Sequence, residues 1–459
     1  MKSIRFFCTA AALTVGLTLS SCDKKLDIQP VNQIDTRQAL ATSADVEALL
    51  VGAYGANSGL GSVDLYGGNL QRDAELLGDN GGVVWDGTFT APGEVYDKKI
   101  LVNNDQASET WLDGYYTINI CNLVLANLTL VDQARRIKVE AEAKFIRASV
   151  YFELVRTYAK TWSDGDNAIN PGVPLVLMPT TVITSQNTVV RNSVAEVYAQ
   201  ILTDLLDAEV KMPATNSIFA AKGAVSAQLS RVYLQQRNYP QAALAANRVI
   251  TSGKYQLAAS PEEAFDLRLS QPGVDTPETI FSLKVTDQDG TNNLNTFYGS
   301  SDYGGRGDIF ITDAQLNSYT SDDLRGQLFY DDQTAGVVRT AKFVNQYGNI
   351  QVFRLAEMYL TRAEANFLAG TTTGAIPLAD VNLIRVRAGL TALTPAQLNI
   401  TAIRRERRLE LAFEGTLIHD LKRYRQSVGS LPYNSPRLIF PIPQRERDAN
   451  SLLVQNEGY

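Results

Sequence analysis

The feature that most constrains this chain is an alternation of texture. Apolar residues recur at helical spacing over long runs, and the runs are broken twice by stretches rich in Gly, Asp and Asn. Apolar positions three and four apart share one side of a helix but fall on both faces of a strand, so a sheet is excluded as the main framework. Helical spacing begins near Ser43, the expected N-cap of ADVEALLVGAYGA, and it dominates from about Gln106 to Tyr158, ending in EAEAKFIRASVYFELVRTYAK. NPGVPLVLMP predicts an extended segment, and a further helix is expected over 192–212. Residues 55–105 instead carry GANSGLGS, YGGN and GDNGG around Trp85. Residues 265–350 are rich in Gly, Asp, Asn, Ser and Thr, with strand-like pieces at ETIFSLKV and VVRTAKF. Loops of that length in a compact chain are usually functional. The expected fold is therefore mainly α: a helical scaffold, about 106–260 and 351–426, carrying an irregular loop-rich lobe with a few short strands.

The scaffold has a repeat signature. In AKGAVSAQLSRVYLQQRNYPQAALAANRVI, Tyr233, Tyr239 and Ala242 stand at the offsets of a tetratricopeptide repeat, although the proline that closes that repeat is missing. A second pair is expected in FRLAEMYLTRAEANFLAGTTTGAIPLADVNLIRVRAG, with Ala363 and Ala375 as small contacts on facing helices. Such pairs stacked side by side make an α-solenoid.

The opening MKSIRFFCTAAALTVGLTLSSCDKK reads as an export signal. Lys2 and Arg5 make a basic start, Phe6 to Leu19 an apolar run too short to span a membrane, and Ser20 and Ser21 are residues a signal peptidase tolerates. Leu19-Ser20-Ser21-Cys22 resembles the bacterial lipobox, in which the cysteine takes a diacylglyceryl group and the chain is cut just before it. We therefore expect residues 1–21 to be removed, Cys22 to be a lipidated membrane anchor, 22–35 to be a tether, and 36–459 to form a single domain. Acyl chains bury methylenes at about 0.8 kcal/mol each, enough in combination to hold a domain on a membrane.

Composition removes several functions. A formal net charge of −7 with both signs mixed throughout does not suit a phosphate backbone, so no nucleic-acid partner is expected. Of the three cysteines, Cys8 leaves with the leader, Cys22 is lipidated and Cys121 stands alone in an apolar helix, so no intramolecular disulfide is expected and Cys121 reads as a buried thiol. The single histidine, His419, rules out a two-histidine zinc motif and has no serine or cysteine in local reach, so it reads as structural. Glu406, Glu410 and Glu414 in RRERRLELAFEG share a helix face, and paired carboxylates serve glycoside hydrolysis. Arg404, Arg405, Arg407 and Arg408 on the same helix, with Arg385 and Arg387 before it, favour ion pairs between helices instead. Arg306-Gly307-Asp308 spells an adhesion tripeptide, read here as coincidence.

Seven segments in order behind the lipobox then carry a resemblance: WLDGYYTINICN, AEAKFIRASVYFELVRTYA, RNSVAEVYAQILTDLLDA, FRLAEMYLTRAEA, VNLIRVRAGL, RRERRLELAFEG and PIPQRERDANSLLVQNEGY. The mature chain resembles the SusD/RagB family, surface lipoproteins of Bacteroidetes that partner TonB-dependent transporters in nutrient uptake. The resemblance implies a scaffold facing a SusC-like transporter, an irregular lobe holding the ligand, anchorage in the outer membrane and no catalysis. It implies no cofactor, and a structural calcium ion is not readable from the residues. Thr416-Leu417-Ile418-His419 after the Glu-Gly pair, and Ala159 after Tyr158, depart from the family pattern within the scaffold.

Sugars pack their C–H faces on flat rings while amides, carboxylates and guanidinium groups meet the hydroxyls, so a carbohydrate site needs exposed aromatics beside polar side chains. Trp85 has that setting in DNGGVVWDGTF, with Asn80, Asp79 and Asp86 near it, and NLNTFYGSSDYGGRGD offers Tyr298 and Tyr303 with Asn295, Asp302 and Arg306. Trp111 and Trp162 lie in helical segments and read as core. The expectation is that the insertions 55–105 and 265–350 converge, with Trp85 and Tyr298 as stacking platforms, Tyr303 beside them, and Arg72, Asn295 and Asn80 as polar partners for an oligosaccharide. An oligopeptide ligand, as in the RagB branch, and a protein-interaction scaffold without small ligand are the alternatives.

Overall fold

The chain enters its first helix, α1 (Ser43–Tyr54), through a reciprocal cap. Thr42 Oγ1 accepts from the Asp45 amide, and the Asp45 carboxylate accepts from the Thr42 amide and hydroxyl. The cap is thus Thr42 rather than Ser43, because only the residue three before Asp45 can exchange both bonds. The computed structural model describes residues 40–459 apart from 56–58, 183, 185, 186, 270, 287 and 289. The leader 1–21, Cys22 and the tether 22–35 lie outside the described residues.

A second helix, α2 (Asn69–Gly78), lies inside the first insertion. The scaffold proper follows as α3 (Asp105–Ala126), α4 (Gln133–Tyr158), α5 (Val194–Lys211), α6 (Lys222–Gln235) and α7 (Tyr239–Thr251). After the second insertion come α8 (Leu355–Ala369), α9 (Pro377–Arg387), α10 (Ile400–Glu410) and α11 (Leu417–Tyr424). Each helix packs on its successor from α3 to α9, with α7 against α8 closing the gap left by the second insertion, and this is the order of a solenoid. From Val139 onward α4 is buried on nearly every side, as a helix does that is sandwiched between neighbours.

The repeat reading holds at the first pair, where Tyr233 and Ala242 are buried and Tyr239 opens α7. In the second pair Ala363 is buried against Val381 and Ile403. Ala375 is not on a helix: it lies in the turn before α9, where its carbonyl accepts from Asn366 Nδ2 at 3.0 Å. The segment NPGVPLVLMP is extended without becoming a strand, apart from one bridge between Pro171 and Ser193. Its carbonyls are met by helix side chains instead, Pro174 by Tyr115 Oη at 2.8 Å and Val176 by Tyr151 Oη at 2.9 Å.

Two small antiparallel sheets organise the insertions. β2 (Thr279–Leu283) pairs with β6 (Ile350–Arg354) and brings the ends of the second insertion together. β1 (Val83–Trp85) of the first insertion pairs with β3 (Ile309–Ile311) of the second, and the sheet continues through β5 (Val337–Thr340) to β4 (Phe329–Asp332). The two insertions therefore converge by backbone hydrogen bonding.

Charge joins this lobe to the scaffold. Glu75 on α2 is buried, and its Oε1 accepts from the amides of Gly415, Thr416 and Leu417 at 2.9, 3.0 and 3.3 Å. Those are the orphan donors at the start of α11, whose own N-cap Thr416 makes no side-chain bond. Gly415 is required there on two counts. Its φ is +77°, and a Cβ would stand 2.7 Å from the Gln71 Cα. Burial pushes the Glu75 carboxyl up to about 7, against the lowering effect of those amides.

The Glu406, Glu410, Glu414 row forms ion pairs. Glu410 meets Arg354 at 2.6 Å and Arg387, Glu414 meets Arg354 and Lys342 at 2.6 and 2.7 Å, and Glu406 meets Arg325 and Arg385 at 2.7 and 2.9 Å. The surrounding cations hold the Glu410 carboxyl far below the usual carboxylate range despite its burial. The Glu410 carboxylate is held as an anion, the state least able to act as a general acid. Among the described residues no helix is long and apolar enough to cross a membrane.

Candidate functional site

The sheet shared by the insertions ends at its outer edge in an aromatic and cationic cluster. Trp85, the last residue of β1, lies opposite Ile309, and the ladder runs on as the Asp86 amide donates to the Asp308 carbonyl at 2.8 Å. The chain then turns at Gly87, where a Cβ would lie 2.4 Å from Trp85 Cζ2 and 2.7 Å from Asp308 Cβ. Glycine is what lets the turn pass over the indole edge. The turn delivers Phe89, which is 47 % exposed.

Both rings rest on Phe297, Trp85 at 5.8 Å and Phe89 edge-on at 6.3 Å between centroids. Phe297 is buried, with the Arg72 guanidinium 4.3 Å from its centroid. On the solvent side, the Arg306 guanidinium sits 4.3 Å from the Phe89 centroid, donates to Thr88 Oγ1 at 3.1 Å and pairs with Asp308 at 3.0 Å. The adhesion-like tripeptide is thus closed on itself by its own ion pair. Trp85 is half-buried, and Asp86 and Thr88 are exposed beside it. A rigid apolar shelf edged by a guanidinium, a hydroxyl and carboxylates can stack on one face of a ligand and hydrogen-bond to its rim.

The six expected contact residues divide here. Trp85 belongs to the cluster, Asn80 is exposed at the turn before β1, and Tyr303 is half-buried, edge-on to Tyr330 at 5.0 Å. Three others are interior. Tyr298 is fully buried between Phe343 and Phe413, at 5.4 and 5.8 Å, and no ring face is left for a ligand. Asn295 is fully buried, and its Nδ2 donates to the carbonyls of Tyr303 at 3.1 Å and Phe343 at 2.8 Å, pinning the second insertion to itself. Arg72 is buried on α2, donating to Asp73, Asn69 and Gln106 at 2.7–2.8 Å. These three residues lie beneath the shelf and present no open face to solvent. Phe89 is the member that the sequence reading missed, although it stands four residues after Trp85 in the same segment, and Arg306 is among the polar groups expected in the second insertion without being placed in the contact set.

The remaining singled-out residues are structural. Burial pushes the Cys121 thiol up to about 12. His419 is buried, and desolvation holds its imidazole well below its ordinary value. Trp111 packs between Tyr115 and Tyr158, and Trp162 lies against Tyr198 at 4.9 Å. No group of three or more His, Cys, Asp or Glu side chains placed to hold a metal occurs among the described residues.

Comparison with known proteins bears on the whole chain. Residues 26–234 match the family described as starch-binding associating with outer membrane, and residues 295–436 match the SusD family. SusD-like protein P2 of Formosa agariphila is 25% identical over 96% of this chain and 98% of its own. A SusD superfamily protein from Bacteroides thetaiotaomicron shares the fold with a TM-score of 0.78 at 23% identity, covering 91% of this chain and 100% of that one. The surface glycan-binding protein A from Bacteroides uniformis superposes with a TM-score of 0.73 at 20% identity, covering 90% of this chain and 99% of that one.

Proposed function

The chain belongs to the SusD family of non-catalytic, glycan-binding proteins that associate with the outer membrane, and from that premise we propose that it captures oligosaccharides at the cell surface and hands them to a partner TonB-dependent, SusC-like transporter. In this reading Cys22 carries the acyl anchor, residues 22–35 are the tether, and 36–459 work as one domain with the insertions as its ligand lobe. The protein would act as a lid on the channel mouth, so that opening of the lid gates entry.

The observation that carries the proposal is the shelf of Trp85, Phe89 and Arg306. Two segments more than two hundred positions apart are sewn into one sheet, and the sheet's outer edge presents aromatic surface ringed by polar groups. Sugar rings meet that combination through their C–H faces and hydroxyls together. Asn80 and Tyr303 are the outlying polar and aromatic contacts. A relative of the same fold bears glycan binding in its name.

The test is calorimetry of the purified protein against matched panels of neutral oligosaccharides and oligopeptides. Saturable binding of one glycan class is expected, reduced beyond detection in Trp85→Ala and at least about tenfold in Phe89→Ala, with folding intact. Full affinity in a variant carrying both Trp85→Ala and Phe89→Ala would sink the placement of the site. Binding confined to the peptide panel would move the protein to the peptide-capturing alternative, and no binding on either panel to the interaction scaffold.

A further inference from the structure

Helix α10 carries arginines on two sides, and only one side is neutralised. Its inward side holds Arg407, paired with Asp420 at 2.7 Å. Its other stripe, Thr401, Arg404, Arg405 and Arg408, follows the three-and-four spacing of a single helix face and lines a cleft of about 240 Å³ between α10, α11 and the first insertion.

In that cleft the anions are already committed. Asp79 accepts from the amides of Gly81, Gly82 and Val83, Glu75 from the start of α11, and Asp420 lies between Arg407 and Arg423. The cations are less committed, Arg404 keeping a long ion pair with Glu364 and a stack on Tyr424. Arg408 is exposed and makes no hydrogen bond or ion pair among the described residues. Among the described residues Arg405 reaches only the Ser318 carbonyl, at 3.3 Å. Arg404 Nε is buried without a hydrogen-bond partner, its nearest carboxylate oxygen being Glu364 Oε1 at 3.8 Å. The cleft thus sets three carboxylates whose oxygens already accept hydrogen bonds beside three arginines, and its open donors lie on the arginine stripe.

The floor selects what the anion is attached to. It is made of Val83, Leu411, Leu417 and Leu421, and the ring of Tyr424 is covered by the guanidinium groups of Arg404 at 4.0 Å and Arg423 at 4.4 Å. Phe413, the other ring at the cleft, is buried against Tyr298 and Phe329, so the floor is mainly aliphatic and suits a compact apolar group.

We infer that this cleft binds a carboxylate borne on a compact apolar body, the arginine stripe taking the carboxylate and the leucine floor the apolar group. A free N-capped amino acid and the C-terminal residue of a peptide share that chemistry, and the site is separate from the aromatic shelf.

The experiment is calorimetry of the full-length protein in detergent with N-acetyl-leucine, N-acetyl-leucinamide, and a tetrapeptide ending in leucine with a free or an amidated terminus. At least one acid is expected to bind saturably, its amide about tenfold or more weaker, since a charge-assisted bond is lost. Arg408→Gln should weaken the acid about tenfold without moving the unfolding midpoint, because Arg408 holds nothing in the fold, and Phe89→Ala should leave this binding unchanged. Equal affinity of tetrapeptide and capped amino acid would identify a small free acid as sufficient, and preference for the tetrapeptide a peptide terminus. Absence of saturable binding by either acid, equal binding of acid and amide, or an unchanged affinity in Arg408→Gln would each overturn the inference.

Discussion

On α10 the carboxylates of Glu406 and Glu410 are buried among guanidinium groups, whereas at the edge of the lobe Arg306 stands 42 % exposed over a half-exposed phenylalanine. Both regions use arginine beside carboxylates, yet the first uses its buried carboxylates to hold helices together and the second leaves its guanidinium partly facing solvent over a buried Asp308. The difference lies in how many neighbours close over the pair. Where three helices and a strand converge, burial forces complete pairing, and where a two-stranded edge ends, a turn can hold an ion pair and still leave a ring free. Chemistry alone does not mark a functional charge, and enclosure does.

The sharpest way to break that contrast is at Glu410. Glu410→Ala would leave Arg354 and Arg387 short of an anion in the interior, and stranding buried cations costs about 3–5 kcal/mol. Urea unfolding of the variant should show a loss of that size, while Asp308→Ala should cost under about 1 kcal/mol through the ion pair itself, because its partner Arg306 stands 42% exposed and regains water. A loss at Glu410 no larger than at Asp308 would mean that the two networks do not differ in kind.

Tyr298 sharpens the same contrast within the lobe. It is as buried as any scaffold residue, and its hydroxyl has no hydrogen-bond partner. Tyr298→Ala should therefore cost about 3–5 kcal/mol by cavity formation, whereas Tyr298→Phe should be neutral or stabilising, because the unpartnered buried hydroxyl is removed. Thermal melts of the two variants check this. A destabilised phenylalanine variant would point to a partner for the hydroxyl and reopen a polar role for the residue.

Tyr298 also marks where reading the chain as text stops working. Helices with their own apolar period were legible, as were the pairing of Tyr233 with Ala242, the strands β2 and β5, and the structural fate of the glutamate row, since opposite charges on adjacent helices announce themselves locally. Helix α2 was not, because it sits among glycines and buries Asn69, Gln71, Arg72, Asp73 and Glu75, residues whose type argues for solvent. What makes their burial affordable is partners far away in sequence, such as Gln106 for Arg72 and Gly415 for Glu75. Asn295 misleads for the same reason, its Nδ2 donating to a carbonyl at Phe343. Convergence of the insertions and the place of Trp85 could be anticipated from composition, but which of the neighbouring polar residues face outward depends on those remote contacts.

The smallest expected effect sits on the seam between the two regions, at Glu75, and there two physical terms oppose each other. The amides at the start of α11 favour a carboxylate, as a helix N-terminus does, while burial favours the neutral acid, and burial is the larger cause, raising the group from 4.5 to about 7. A carboxyl held higher in the folded than in the unfolded chain contributes stability that is complete below its unfolded value and is lost as pH rises through its folded value. Above pH 7 the folded protein therefore carries a charge that it would be more stable without. Glu75→Gln keeps a carbonyl oxygen for the three amides and removes the charge, so the variant should match the parent near pH 4. It should gain progressively between pH 4.5 and 7, and be more stable by roughly 1–3 kcal/mol at pH 8. Urea titrations at those pH values decide between the terms. A variant less stable than the parent at pH 8 would mean that the pull of the α11 amides outweighs desolvation, and the seam would then be held by charge rather than merely tolerating it.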